Sequence, residues 1–582
     1  MTRGKTIILL VALVGIVFIA ILAGAAFYLL FRSPVQIKDD TVVEVVLGGT
    51  IHELPPSSPF MQFLEGGDLN LWELGQTLRY AARDDRVSAV YLEIHPLGFN
   101  WAQVEELREF LIEFKESGKP IHCFLAVDMA GESEMYLASA ANSIALNPDA
   151  GLLINGLLAE ITFYKRTMEK LGVNPQFIQF KEYKSPEVFT RESLTPEFRA
   201  MYESILNDIQ NRFIATVAAD RSVPEENLLQ VVQMGIVPAD VALREKLVDS
   251  LGYRSEVYDK LTTSGSESED SEDDDSGDEY KGIASSKYRK AVTSKFETDS
   301  EHKIALVGAS GVIIAGKSSS FDKMVGGTTV GSMLSELRKN EDIKGVILRV
   351  DSPGGSAVGS DMIWHEVELM EKANKPVIVS MSGVAASGGY YISMGARKII
   401  SQPSTITGSI GVIFGKFDLS GLFDWLGMDI DQVKLSPNAD LFSSFSSLSD
   451  EQRSQLADWM EVIYQNFVQK AADGRGVDFA LLEAKARGRV YTGAQAMEAG
   501  LIDELGGLRA AVKHMKAALD LEENDEIELI LYPRPKSVWE AVASGDFFST
   551  KKPESLIQWA RAELQSLSTP SPWLLMPEVR IY

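Results

Sequence analysis

The sequence predicts an α/β protein built by duplication and carried on an N-terminal transmembrane helix. Three observations carry that reading. A long uncharged apolar run opens the chain, short β-rich runs alternate with helical spacings, and the two halves resemble each other at an offset of about 255 residues.

The apolar run is Thr6 to Phe31, 26 residues without a charge, preceded by Arg3 and Lys5 and followed by Arg32. About 20 apolar residues span a bilayer core. A cleaved signal peptide is the competing reading, with Ala23-Gly24-Ala25 as its cleavage site, but the run is longer than the ~7–15 apolar residues of a signal h-region. We therefore expect an uncleaved anchor over residues 1–32. Two positive charges before the span place the amino terminus inside and the bulk outside. In a bacterium this is a single-pass protein of the inner membrane with its soluble part in the periplasm.

The chain has 582 residues, enough for two to four domains at roughly 100–200 residues each. It is 45% hydrophobic, so it can bury large cores. With 56 Lys and Arg against 82 Asp and Glu, the net charge is −26. That excludes a nucleic-acid coat, which needs a basic face, and a broad basic surface for anionic lipids. The single cysteine, Cys123, sits in an apolar β-rich run, Ile121 to Val127, and forms neither a disulfide nor a CxxC pair. The six histidines lack HxxxH spacing, so no metal is expected. No nucleotide is expected either.

The repeat lies on either side of an acidic stretch. Val90 to Gly98 matches Val346 to Gly354 at offset 256, and Lys119-Pro120 matches Lys375-Pro376 at the same offset. Met135 to Pro148 matches Tyr390 to Pro403 at offset 255. Gly345–Val350 and Pro376–Met381 read as strands, and 361–373 as a helix from apolar residues at 362, 363, 367 and 370. Long helices are expected at 196–219 and 449–471, and a strand at 527–532. Residues 264–279, SGSESEDSEDDDSGDE, have no apolar side chain and read as a solvated linker. The expected division is an anchor at 1–32, a first copy at 40–262, a disordered linker at 263–300, a second copy at 301–520 and an extension at 521–582.

Two Gly-rich turns of the second copy carry candidate chemistry. Asp351-Ser352-Pro353-Gly354-Gly355-Ser356 follows a strand and leaves backbone N–H groups bare of side chains. Gly383 to Tyr391, GVAASGGYY, sets one serine among small residues at a strand-to-helix corner. A nucleophile needs that access, together with N–H groups for an oxyanion. An ordinary βα turn and tight small-residue packing are the bland alternatives.

GVAASGGYY, DSPGGS and Thr407-Gly408-Ser409-Ile410-Gly411-Val412 together closely resemble the signal peptide peptidase A family, of the protease IV type, in its long duplicated form. The resemblance runs from about residue 70 to 515. It implies tandem Clp-protease/crotonase-like domains and a membrane-bound serine endopeptidase that uses a Ser–Lys dyad without a cofactor. By motif match it implies Ser387 as nucleophile and Lys184, in Tyr183-Lys184-Ser185, as base, with Lys181 the neighbouring competitor. It further implies an oxyanion hole from the N–H groups of Gly388 and Gly355, and Ser409 as the hydroxyl that orients the lysine. Expected substrates are cleaved signal peptides and other short apolar peptides, and the expected assembly is a homo-tetramer.

The duplication adds an independent argument. Ser387 corresponds to Glu132 in the first copy, while Lys184 corresponds to Asn438 in the second, where the nearest amine is Lys434. Each copy thus holds half a site, and a complete one requires the copies to meet, within one chain or between neighbours. A lysine base also needs burial, because free lysine titrates near ~10.4 and desolvation lowers that by up to ~3–5 units. Two rivals remain at this level: a crotonase-like acyl-CoA enzyme and an inactive membrane scaffold.

Overall fold

The computed structural model describes residues 36–55, 70–184, 186–263, 282–296, 300–318 and 324–534, together with the backbone of 573–575 and 580–581. The Thr6–Phe31 run and the acidic stretch 264–279 lie outside the described residues. Among the described residues no helix is long and apolar enough to cross a membrane.

The first copy comprises β1 (Thr41–Gly49), α1 (Leu71–Arg83), β2 (Val87–Leu97), α2 (Trp101–Lys115), β3 (Ile121–Leu125), α3 (Glu132–Ala138), β4 (Ser143–Leu146), β5 (Ala159–Glu160), β6 (Asn174–Ile178), α4 (Pro196–Arg221), β7 (Ser250–Leu251), β8 (Gly282–Ala284) and α5 (Ser285–Phe296). Its sheet is parallel throughout, in the order β7-β4-β3-β2-β1-β8.

The second copy comprises β9 (Lys303–Ser310), β10 (Ile343–Ser352), β11 (Gly354–Ser356), α6 (Ala357–Lys372), β12 (Val377–Ala386), α7 (Gly388–Ser393), β13 (Lys398–Ser401), β14 (Ile406–Gly408), β15 (Phe414–Asp418), α8 (Asp450–Arg475), β16 (Val490–Thr492), β17 (Glu504–Leu505) and β18 (Glu528–Tyr532). Two short strands close the chain, β19 (Trp573–Leu575) and β20 (Arg580–Ile581). Six strands of its eight-stranded sheet repeat the first, in the order β17-β13-β12-β10-β9-β18 and parallel, while β14 also pairs with β12 and carries β16 antiparallel at its side. The sequence similarity thus appears as one strand order drawn twice. Parallel strands covered on both faces need unbroken apolar runs rather than alternation. Val346, Ile347 and Leu348 supply one such run, and all three are buried.

The long helices fall where the spacing places them. Thr195 caps α4, with Pro196 at its first turn, and Ser449 caps α8 in a reciprocal capping box with Gln452. Cys123 lies buried in β3, where burial pushes its thiol pKa upward, against any role as a nucleophile.

Two boundaries move. The stretch 263–300, expected as linker, includes β8 and α5, which belong to the first core. Tyr288 and Val292, four residues apart, are buried on one face of α5, and the Tyr288 hydroxyl donates to Asp84 at 3.1 Å. The surrounding Lys, Arg and Ser residues conceal that face in the sequence. Likewise β18, within the expected extension 521–582, is the edge strand of the second sheet and the counterpart of β8.

The copies are locked together by buried charge. Arg349 of β10 donates to Glu53 at 2.6 Å through Nη2 and at 3.0 Å through Nε, to Glu106 of α2, and to Ser380 at 2.7 Å. Ser382 and Gln103 each donate to the other Glu53 oxygen at 2.6 Å. At the preceding position of α2, Glu105 accepts from Ser404 N and Oγ at 2.8 and 2.6 Å and from Arg212 at 3.1 Å. Strand β6 reaches across to pair antiparallel with β15. These contacts fix the first copy's lysine-bearing loop against the second copy's serine corner.

Candidate active site

Ser387 lies between β12 and α7, with φ 55° and ψ −110°. A non-glycine residue at positive φ is strained, and such strain is held only where surroundings impose it. Here Ser387 N donates to Gly408 O at 2.8 Å, and Tyr391 N donates to Ser387 O at 2.9 Å. Small neighbours make the corner possible. A Cβ on Gly388 would meet Ser360 Oγ at 2.6 Å and both Gly354 Cα and Gly355 N at 3.0 Å. The Gly388 backbone therefore lies directly against the Gly354-Gly355 turn, and Gly355 itself leaves no room for a side chain, since its Cβ would sit 2.0 Å from Ile313 O.

Lys184 arrives from the other copy. Tyr183 N donates to Arg487 O at 3.1 Å, and Gly488 N donates to Ile410 O at 2.8 Å. A Cβ on Gly488 would fall 2.6 Å from Lys184 Cβ, and one on Gly411 3.4 Å from it, so the lysine stem threads between two glycines. Its Nζ has three partners, Ser387 Oγ at 2.9 Å, Ser409 Oγ at 2.8 Å and Ser409 O at 3.2 Å. Lys184 is 1% exposed, and Ser387 and Ser409 are fully buried. Burial with no carboxylate partner lowers the lysine pKa to about 7.

That partner set suits a neutral amine. Two N–H groups serve the two oxygens of Ser409, which leaves the nitrogen lone pair to accept the Ser387 hydroxyl hydrogen. Ser409 is held for the purpose at φ 52°, with its N–H donating to Arg489 O at 2.7 Å. The arrangement can take a proton from the serine as it attacks a carbonyl.

The other candidates are engaged elsewhere. Lys181 pairs with Glu483 at 3.7 Å and lies over the rings of Phe180 and Tyr464. Lys434 pairs with Asp440 at 2.8 Å, and Asn438 donates to Gln455 at 3.0 Å. In the first copy the position corresponding to Ser387 carries no hydroxyl, and the neighbouring Ser133 donates its own to Glu134 at 3.1 Å. Glu132 accepts from Gly156 N at 2.8 Å, and Glu134 fills the turn by accepting from Leu97 N at 2.7 Å and Gly131 N at 3.0 Å. Within this chain the amine of one copy and the hydroxyl of the other make a single pair.

Sequence reasoning missed Gly488 and Arg487, which shape the lysine's slot, and the Glu53–Arg349–Glu106 lock. The only signal for the first was a Gly beside an Arg in an otherwise ordinary turn; buried ion clusters leave none. Among the described residues no cluster of His, Cys, Asp and Glu has the geometry to hold a metal ion.

The model of peptidase family S49 matches residues 113–266 and 370–522, one span in each copy, and a Clp protease model matches residues 312–406. The chloroplastic serine protease SPPA of Arabidopsis thaliana is 30% identical over 525 residues, covering 89% of this chain and 75% of that protein. Protease 4 of Salmonella typhi is 32% identical over 454 residues, covering 76% and 71%, and Protease 4 of Haemophilus influenzae is 30% identical over 458 residues, covering 78% and 73%. With both copies matched by one peptidase model, and with relatives named serine protease SPPA and Protease 4 covered over more than two thirds of their length, the chain belongs to peptidase family S49 and is a serine peptidase.

Proposed function

We propose that the chain is a membrane-anchored endopeptidase that hydrolyses cleaved signal peptides and other short apolar peptides through a Ser387–Lys184 dyad. The observation that carries the reading is the 2.9 Å approach of Lys184 Nζ to Ser387 Oγ, with no carboxylate or histidine partner for either group among the described residues.

In this mechanism neutral Lys184 accepts the Ser387 proton as Oγ bonds to the scissile carbonyl carbon. The N–H groups of Gly388 and Gly355 receive the oxyanion. Lys184, now charged, returns the proton to the leaving amine, and the C–N bond breaks. Water then gives one proton to Lys184 as it attacks the acyl carbon; the acyl C–Oγ bond breaks, Lys184 returns that proton to Ser387 Oγ, and the product leaves as an acid that ionises in water. Ser409 orients the amine throughout.

The apolar Thr6–Phe31 run supports anchoring to a bacterial inner membrane with the peptidase on the periplasmic side. A protein named putative signal peptide peptidase SppA, from Enterococcus faecium, is 34% identical over 234 residues and supports the substrate class. For the homo-tetramer, the support is the second copy's loop after Ser420–Trp425. There Trp425, Val433 and Leu435 are 71%, 92% and 99% exposed, whereas the first copy's equivalent loop is docked on its neighbour. A peptidase family leaves the acyl-CoA reading without support, and the intact dyad argues against an inactive scaffold.

The test is a peptide-cleavage assay on Ser387→Ala, Lys184→Ala and Lys181→Ala. Loss of turnover in the first two with retention in the third is expected. Full turnover in Lys184→Ala would remove the proposed base.

A further inference from the structure

The turn 486–489 touches both the lysine and the serine that orients it. Arg487 O accepts from Tyr183 N at 3.1 Å, and Arg489 O accepts from Ser409 N at 2.7 Å. Between them Gly488 lies against the Lys184 stem and donates its N–H to Ile410 O at 2.8 Å. A movement of this turn therefore displaces Lys184 and Ser409 together. The turn is also strained, with Arg487 at φ 55° and Gly488 at φ 83°. A bulky residue stays in the left-handed region only where its surroundings impose it.

Helix α8 and the short helix Phe479–Glu483 supply that constraint. Tyr464 of α8 is 1% exposed. Its Oη accepts from Arg487 N at 3.3 Å and donates to Glu483 Oε1 at 3.3 Å, and the same Oε1 accepts from Arg487 Nε at 3.3 Å. Backbone N–H, hydroxyl, carboxylate and guanidinium close a ring that holds Arg487 by main chain and side chain at once. Burial raises the Tyr464 hydroxyl pKa above its ordinary value, so the group stays a donor. The aromatic ring grips the other copy. It lies 5.1 Å from the ring of Phe180, four residues before Lys184, and Lys181 sits 5.2 Å from both ring centres.

The remaining links of this clasp are weaker. Arg487 pairs with Glu182 at 3.0 Å, but both side chains are nearly half exposed, and exposed pairs contribute little. Lys181 reaches Glu483 only at 3.7 Å, and its loss leaves the ring of hydrogen bonds intact. The buried hydroxyl is the link with no substitute.

We propose that Tyr464 is a positioning residue for the dyad, its hydroxyl fixing the turn that seats Lys184 and Ser409 while its ring holds the loop that delivers the lysine. The inference rests on the Ser387–Lys184 reading and adds to it a residue that touches neither reacting atom. Without the hydroxyl, the Arg487 N–H loses its acceptor and the turn can relax. The lysine slot then opens and the amine gains water. The charged groups around the turn are Lys181, Glu182, Glu483, Arg487 and Arg489, whereas the three hydrogen bonds of Lys184 go to Ser387 and Ser409. Its protonation thus reports how well it is enclosed.

The experiment follows the rate at which a fluorophosphonate labels Ser387 in the full chain, as a function of pH. In the parent the rate should rise with a midpoint near 7. Tyr464→Phe should move the midpoint up by about one pH unit and slow labelling about tenfold at pH 6. A midpoint equal to the parent's overturns the proposal. Tyr288→Phe is the control, since it removes another buried hydroxyl, the one bonded to Asp84 at 3.1 Å. It should lower the melting temperature without moving the midpoint, and a midpoint that moves as far would assign the effect to general loosening and overturn the proposal. Should Tyr464→Phe not fold, Glu483→Leu decides. It should raise the midpoint, and Glu483→Gln, which keeps an acceptor for the hydroxyl, should recover most of the change. No rise in Glu483→Leu, or no recovery in Glu483→Gln, overturns the proposal. A parent that is unlabelled at every pH removes the dyad and this inference with it, whereas a labelled parent matched by Tyr464→Phe removes this inference alone.

Discussion

Lys184 and Ser387 stand 203 positions apart in the chain and 2.9 Å apart in space, each contributed by a different copy of one fold. Their meeting within a single chain has a direct consequence for complementation. Ser387→Ala and Lys184→Ala should each reduce turnover by about 10³-fold or more, and the double variant should be no worse than either, because the two act as a unit. Mixing the two single variants should restore nothing, since each amine already faces the hydroxyl of its own chain. Recovered activity in the mixture would show that copies exchange between chains.

The pH dependence follows from the lysine. With its pKa held near 7 by burial, the amine is charged and inactive in acid, so kcat/KM should rise tenfold per unit below pH 7 and level off above it. Stability carries the same signature. Below pH 7 the group is protonated in folded and unfolded chains alike. Between pH 7 and about 10.4 only the unfolded chain holds the proton, so this group makes stability rise with pH in that window. Lys184→Met removes the titration, and the melting temperature of this variant minus that of the parent should fall steadily from pH 7 to pH 10.

Ser409→Ala deletes the 2.8 Å hydroxyl contact while leaving the carbonyl contact at 3.2 Å. The amine loses its orientation and one of the acceptors for its N–H groups. We expect kcat to drop about 10-fold to 100-fold with KM little changed, and Ser409→Thr to recover part of the loss. An unaltered kcat would assign Ser409 to packing alone.

Gly488→Ala places a methyl group 2.6 Å from Lys184 Cβ, at a residue whose φ of 83° already disfavours a side chain. The cost to stability should be about 1–3 kcal/mol, read by denaturant melts. The informative result is the pH–rate profile. A displaced lysine that gains solvent should show its midpoint moved up from 7, which simple loss of stability would not produce.

Arg349→Met leaves the Glu53 and Glu106 carboxylates buried without their cation. Breaking a buried ion cluster in this way should cost about 3–5 kcal/mol, and adding Glu106→Gln should recover part of it. Calorimetry of the single and double variants checks both values.

The strands, the long helices and the internal repeat were legible because parallel strands covered on both faces demand apolar runs, and because both copies repeat that demand at one offset. Ser387, Gly388 and Gly355 were legible in small-residue turns after strands, and Ser409 and Lys184 through the family resemblance of their neighbours. What stayed hidden depends on contacts between distant segments. Arg349 reads as a polar interruption of a strand, and only the fold brings it to Glu53 and Glu106, which lie 296 and 243 positions away. The helix Ser285–Phe296 was hidden for the opposite reason: two buried residues among many polar ones make too thin a stripe to stand out beside an acidic run.

The division of the dyad between copies also times the onset of hydrolysis during synthesis. A growing chain that has emerged past Lys184 carries an amine with nothing to deprotonate, and one that has emerged past Ser387 still lacks the Arg487–Gly488 turn that seats the amine. On the proposed mechanism, a ribosome-bound precursor is harmless to itself and its neighbours until nearly 490 residues have been made and folded.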